Sequence, residues 1–193
     1  MLKEIALHIL DLAENSVSAG ASAVEVAICE NIPANRLSVT IQDNGKGMDP
    51  EIARQLGDPF YTTRTTRKVG LGVPFFQEAA EACNGGLTVH SVPGEGARLQ
   101  ATFEHDHIDR MPLGDLPGTA LALLVAHPEI HWRFTYQLIP GDGNQPKEFV
   151  FDDAPIKEIL AGVPVSEPDV LAYLRQTLQD GFTSVNGDEL LVY

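Results

Sequence analysis

Asp11 and Asn15 stand four residues apart near the start of the chain. On a helix that spacing places them one turn apart on a shared face. A neutral amide oxygen at 15 suits magnesium, and a carboxylate at 11 can orient or deprotonate a water or hydroxyl. A second group, Asp43-Asn-Gly-Lys-Gly-Met48, follows a strand-like run. Its glycines, Gly45 and Gly47, let backbone approach a flat ligand while Asp43 accepts from an exocyclic amine. The third group runs from Asp58 to Val69 and carries Thr62, Thr63, Arg64, Arg67 and Lys68 with no acid after Asp58. Hydroxyls and cations concentrated in this way match the needs of phosphate oxygens. The fourth, Gly70-Leu71-Gly72, leads into a helical pattern, where open backbone N–H groups and the helix dipole favour an anion. Taken singly, the first two have ordinary explanations, a solvated helix face and an Asp-Asn-Gly turn. None of the four is a Walker A or a Rossmann glycine motif.

These groups need elements to hold them. Ile5, Ile9, Leu12 and Ser16/Val17 follow helical spacing over residues 3–19, and Gly20 is placed to end the helix. Ala23–Cys29 and Leu37–Gln42 read as strands joined by a turn around Pro33. Asp49-Pro50-Glu51 opens another helix, residues 57–70 read as a loop, and helix returns over Val73–Cys83 until Asn84-Gly85-Gly86. Leu87–Ser91 and Arg98–Phe103 form a hairpin around Pro93-Gly94-Glu95-Gly96. Beyond a linker, His107–Pro117, the pattern predicts a helix (Leu116–Ala126), two strands (Ile130–Leu138, Glu148–Phe151) and two amphipathic helices (Ile156–Ala161, Pro168–Gln179). The expected fold class is α+β, a mixed sheet with helices on one face, followed by a small C-terminal α/β unit.

Composition restricts the function classes. The 193 residues are 44% hydrophobic and 21% charged, enough to build a core. The net charge is −14, with 8 basic against 13 acidic residues over 1–105 and 5 against 14 over 106–193. So acidic a surface repels nucleic acid and anionic lipid, and neither is an expected partner. No apolar run reaches the ~18–20 residues of a membrane span, and no signal peptide is recognisable. Cys29 and Cys83 read as free thiols in a reducing compartment, so the expected location is cytoplasmic.

In order and spacing, the four groups resemble the N-box, first glycine box, phenylalanine box with lid, and second glycine box of the GHKL ATPases (gyrase, Hsp90, histidine kinase, MutL). Glu14-Asn-Ser-Val-Ser-Ala-Gly-Ala21 is similar to the N-box of the MutL and gyrase branch, whereas the run DPFYTTRTTRKVGLGV resembles a sensor histidine kinase with a short lid. The resemblance covers residues 3–104. It implies a Bergerat-type two-layer α/β sandwich binding ATP and Mg2+. Asn15 would hold the metal and Asp43 the adenine amine, with Gly45 and Gly47 permitting the approach. Thr62, Thr63, Arg64, Arg67 and Lys68 would line the lid, and Gly70, Leu71 and Gly72 would wrap the phosphates. Met48 and Phe60 would pack beside the base or serve as core.

The pattern is departed from in several places. Hydrolysing members carry glutamate where this chain has Asp11, which draws the carboxylate back by roughly 1.5 Å, enough to impair a catalytic group. Ser18 replaces a common basic residue, and Ala97 a common threonine. No helical hairpin with a phosphoaccepting histidine precedes the N-box, so a phosphoacceptor is expected in trans, on a separate protein. Residues 1–105 are therefore expected to be an ATP-binding domain, and 106–193 a C-terminal domain or extension that docks a partner. A homodimer remains open. The expected function is an ATP-dependent regulatory protein kinase acting in trans, with Asp11 as its catalytic carboxylate. The alternatives are a non-catalytic nucleotide switch and a slow ATPase of the MutL/gyrase type. His105 and His107 alternate as metal ligands on one strand would, but no third ligand accompanies them.

Overall fold

The computed structural model describes residues 2–49, 51, 53, 72–141 and 143–186. The elements are α1 (Ile5–Ser18), β1 (Ala23–Asn31), β2 (Arg36–Asp43), α2 (Gly72–Glu81), β3 (Gly86–Val92) and β4 (Gly96–Glu104). They continue with α3 (Leu116–Ala126), β5 (His131–Ile139), β6 (Lys147–Asp152), α4 (Ala154–Leu160) and α5 (Pro168–Asn186). Most of the helix expected from Asp49 lies outside the described residues.

Alternation in the strands dictates a one-sided sheet. Val24, Val26 and Ile28 of β1, Leu37, Val39 and Ile41 of β2, and Trp132, Phe134 and Tyr136 of β5 are all buried. Their neighbours Glu25, Gln42 and Arg133 are exposed on the opposite face. Period-2 patterning of this kind requires helices over one face only. The covering helices supply matching stripes: Ile5, Ile9, Leu12 and Ser16 of α1, Phe76 and Ala80 of α2, and Leu174, Leu178 and Phe182 of α5. Burying a side chain of that size contributes about 1.5–3 kcal/mol.

The six strands run in the order β3-β4-β2-β1-β5-β6, antiparallel except for β1 and β5. The parallel pair matches all nine residues of each strand, from Ala23↔His131 to Asn31↔Ile139. The strands after residue 105 thus extend the sheet begun by β1–β4, and one hydrophobic core runs from α1 to α5. The sheet is mixed and the fold is α+β, as the alternation of elements predicts.

Local chemistry sets the element ends. The turn after α2 ends at Asn84, whose φ of 53° is a left-handed conformation that asparagine tolerates, while Gly85 N–H returns to Ala80 O at 2.9 Å. α3 starts at Asp115, which accepts from Gly118 N–H at 2.8 Å. α5 runs seven residues past the expected Gln179, to Asn186. Its internal Gly181 does not break it, because the glycine lies against the Phe149 ring, where a Cβ would collide.

Candidate nucleotide-binding site

One end of the sheet brings three of the four sequence groups together. β2 ends at Asp43, which is half-buried. Its Oδ2 accepts from Ser16 Oγ–H at 2.7 Å, and its Oδ1 from Gly45 N–H at 2.9 Å. The carboxylate is thereby fixed in orientation, with acceptor capacity left over for a further donor. Ser16 occupies a place in the apolar stripe of α1, and only this contact explains a hydroxyl there. Helical spacing alone predicts a core position there, and a polar residue at a core position is itself the signal.

The turn after Asp43 is clamped from two sides. Lys46 N–H donates to Ala19 O at 3.1 Å and Gly94 N–H to Lys46 O at 2.8 Å, joining the end of α1 to the β3–β4 hairpin. Gly47, with φ of 64°, lies so close to Val92 O that no Cβ fits. Met48 N–H donates to Ser91 Oγ at 2.8 Å, and Ser91 in turn to Gly96 O at 2.8 Å. Asn44 points the other way: its Oδ1 accepts from Ser22 and Ala23 N–H, each at 2.9 Å, and pins the loop into β1. Ser91 and Asn44 carry no sequence signal beyond turn composition.

Asp11 and Asn15 are both half-buried on α1. Asn15 makes no side-chain hydrogen bond among the described residues. Asp11 reaches across to the first residue of α2, and a Cβ on Gly72 would collide with its Oδ2. Glu14 is committed elsewhere, 2.9 Å from His127 Nε2. Thr62, Thr63, Arg64, Arg67, Lys68, Gly70 and Leu71, together with Phe60, lie outside the described residues. Of the fourth group only Gly72 is placed.

The histidines offer no second site among the described residues. His105 Nε2 is 2.6 Å from the buried Glu30, and His107 Nδ1 accepts from Asp109 N–H at 3.2 Å, so the two are divided between separate partners. His131, Asp152 and Asp153 bring ligand atoms within 4.8 Å of one another. Lys157 already supplies a cation there, with Nζ 2.6 Å from Asp153 Oδ2. Cys29 and Cys83 are both free, with Cys83 buried and Cys29 only half-buried. Among the described residues no helix is long and apolar enough to cross a membrane.

A family model, the histidine kinase-, DNA gyrase B- and HSP90-like ATPase, matches residues 2–107, more than half of the chain. The chain belongs to this family. Within it, the chain is 38% identical over 88 residues to the sensor protein kinase FleS of Pseudomonas aeruginosa, covering 46% of this chain and 22% of that protein. Over 97 residues it is 32% identical to the signal transduction histidine-protein kinase AtoS of Escherichia coli, covering 50% and 16%. The chain therefore spans about a fifth of the length of the curated relatives it matches. In fold it is similar to the crystal structure of the N-terminal domain of a DNA repair protein, with a TM-score of 0.55 at 12% identity. That likeness covers 98% of this chain and 59% of the other, so it extends over the strands and helices after residue 107. The GHKL resemblance and the Bergerat-type fold are thus shown, and the sheet end at Asp43 lies inside the matched region.

Proposed function

We propose that this GHKL protein binds ATP with magnesium at the Asp43 end of the sheet and passes phosphate to a separate protein. The orientation of Asp43 by Ser16 and Gly45 carries the reading, because a carboxylate held on both oxygens is prepared to accept from the adenine amine. Asn15 offers magnesium a neutral oxygen, and a metal that keeps several water and phosphate ligands needs little more from the protein. The ion would neutralise phosphate charge. Gly45, Gly47 and Met48 admit the base, Gly72 opens the phosphate-binding turn with Gly70 and Leu71, and Thr62, Thr63, Arg64, Arg67 and Lys68 close over the phosphates. Asp11 is the candidate catalytic carboxylate. We read residues 1–105 as the nucleotide-binding domain and 106–193 as the extension that docks the protein partner, in the cytoplasm.

The contact between Asp11 and Gly72 favours a second reading, a nucleotide switch without turnover. A carboxylate lodged against the start of α2 reports on that helix without needing to activate a nucleophile. ADP formation from ATP and magnesium, by the natural chain and by Asp11→Glu, with and without acceptor proteins, separates the two. Transfer to an acceptor protein that Asp11→Glu enhances supports the kinase reading, and hydrolysis without transfer would instead point to a slow ATPase. Nucleotide binding with no turnover in any combination leaves the switch.

A further inference from the structure

His8 lies on α1 one turn before Asp11, and its ring is completely buried. Neither ring nitrogen has a hydrogen-bond partner among the described residues. The ring stacks on Phe76 of α2, centroids 4.9 Å apart and planes 23° from parallel, and Phe76 packs in turn on Phe103 of β4 at 5.4 Å. Phe76 lies one turn after Gly72, as His8 lies one turn before Asp11. The two helices therefore meet through two consecutive rungs, His8 on Phe76 and Asp11 on Gly72.

A buried polar ring without partners is costly, and a phenyl or leucyl side chain would fill the space with no such cost. What histidine adds is a charge that can be switched on. Asp11 is the group on α1 that favours the proton. The chain's amino terminus opposes it, and the Leu2 backbone, which would favour it, does not reach hydrogen-bond geometry. The Phe76 ring that faces His8 from α2 carries no charge, nor does the Phe103 ring packed behind it. Burial, set against the pull of Asp11, brings the ring below its ordinary value of 6.5. In the packed seam the ring is thus neutral at pH 7, and it resists charging as the pH falls below that value.

We propose that His8 is a positioning residue of the nucleotide site: neutral, it seats α1 against α2 with Asp11 at Gly72, and protonated, it parts the two helices and weakens nucleotide binding. In the packed seam neither ring nitrogen has a hydrogen bond, the Leu2 backbone included, so an imidazolium must shift or gain water, and the opening that admits water lifts the neighbouring rung. That rung is where α2 begins, beside the turn assigned to the phosphates. The inference rests on the nucleotide reading of this end of the sheet.

The test is the affinity for Mg–ADP from pH 8 to pH 5, by calorimetry, for the natural chain and for His8→Phe. Phenylalanine keeps the stacking and cannot titrate. Below the pH at which His8 takes up its proton, the natural chain should lose affinity more steeply than the variant, by up to about tenfold per pH unit. The variant should match it at pH 8. Parallel profiles would overturn the proposal. Independently of any variant, saturating Mg–ADP should lower the titration midpoint of the His8 ring observed by NMR, since coupling is reciprocal. An unmoved midpoint would also overturn it. If neither protein binds Mg–ADP at any pH, the nucleotide reading fails, and the proposal fails with it.

Discussion

The carboxylate of Asp11 occupies the space that a Cβ on Gly72 would take, so the acid of the first helix stands at the first residue of α2. The shorter aspartate side chain is therefore engaged with α2 instead of being merely withdrawn. A Gly72→Ala chain should fold, because the atom in the way is the end of a side chain that can rotate aside. The rotation displaces the carboxylate. The expected outcome is a melting temperature within a few degrees of the natural chain and a changed affinity for Mg–ATP, read by calorimetry. Asp11→Ala combined with Gly72→Ala should show non-additive coupling of about 0.5–3 kcal/mol in binding.

Ser16 holds one oxygen of Asp43 from within the buried stripe of α1. Ser16→Ala removes that donor and leaves the carboxylate free to turn. Loss of a hydrogen bond to a charged group costs about 1.5–3 kcal/mol, so affinity for adenine nucleotide should fall by roughly ten- to a hundredfold. Equal affinities in a titration would show that the hydroxyl does not orient the acid.

Two glycines in the same neighbourhood should behave differently. Gly94 has φ of 82° and only open space where a side chain would stand, whereas Gly47 at 64° faces the Val92 carbonyl. Gly94→Ala should cost only the left-handed strain, about 1–2 kcal/mol. Gly47→Ala must in addition move backbone, and should lose both more stability and nucleotide binding. Denaturant melts of the pair measure the difference, and equal losses would refute the close approach.

Glu30 ties the chain after β4 to the strands. Its carboxylate accepts from Tyr136 O–H and pairs with His105 at 2.6 Å. Burial is the largest influence and raises its pKa, but the hydrogen bonds from His105 and Tyr136, together with the charges of His105 and Arg110, outweigh it and leave the group below the ordinary value of 4.5. A carboxyl depressed in the folded state adds stability that is present above the unfolded value and lost as pH falls through the folded one. Stability should thus decline below about pH 4.5 more steeply in the natural chain than in Glu30→Gln. At pH 7 the variant should be less stable by about 1.5–3 kcal/mol. Thermal melts from pH 7 to pH 3 give both numbers.

Much of this end of the molecule is legible in the sequence because its signals are local. A strand that ends in Asp43 and turns on glycines specifies both the placing of the carboxylate and the space before it. Asp11 and Asn15 are set by helical spacing alone. Ser16 is harder, since one hydroxyl in an apolar stripe looks like filler until its partner 27 residues later is known. Pairing of β1 with β5 is harder still: nothing within either strand names a parallel neighbour more than a hundred residues away. Patterning predicts both strands and leaves their adjacency open. The length of α5 depends likewise on Phe149, which packs against a glycine that reads locally as a helix breaker.

Calorimetric titration of Mg–ATP into the natural chain and into Asp43→Asn asks whether Asp43 receives the adenine of ATP. Saturable binding at one site is expected in the natural chain and at least a tenfold weaker affinity in the variant, about 1.4 kcal/mol or more. Equal affinities in the two proteins, both folded by circular dichroism, would contradict it.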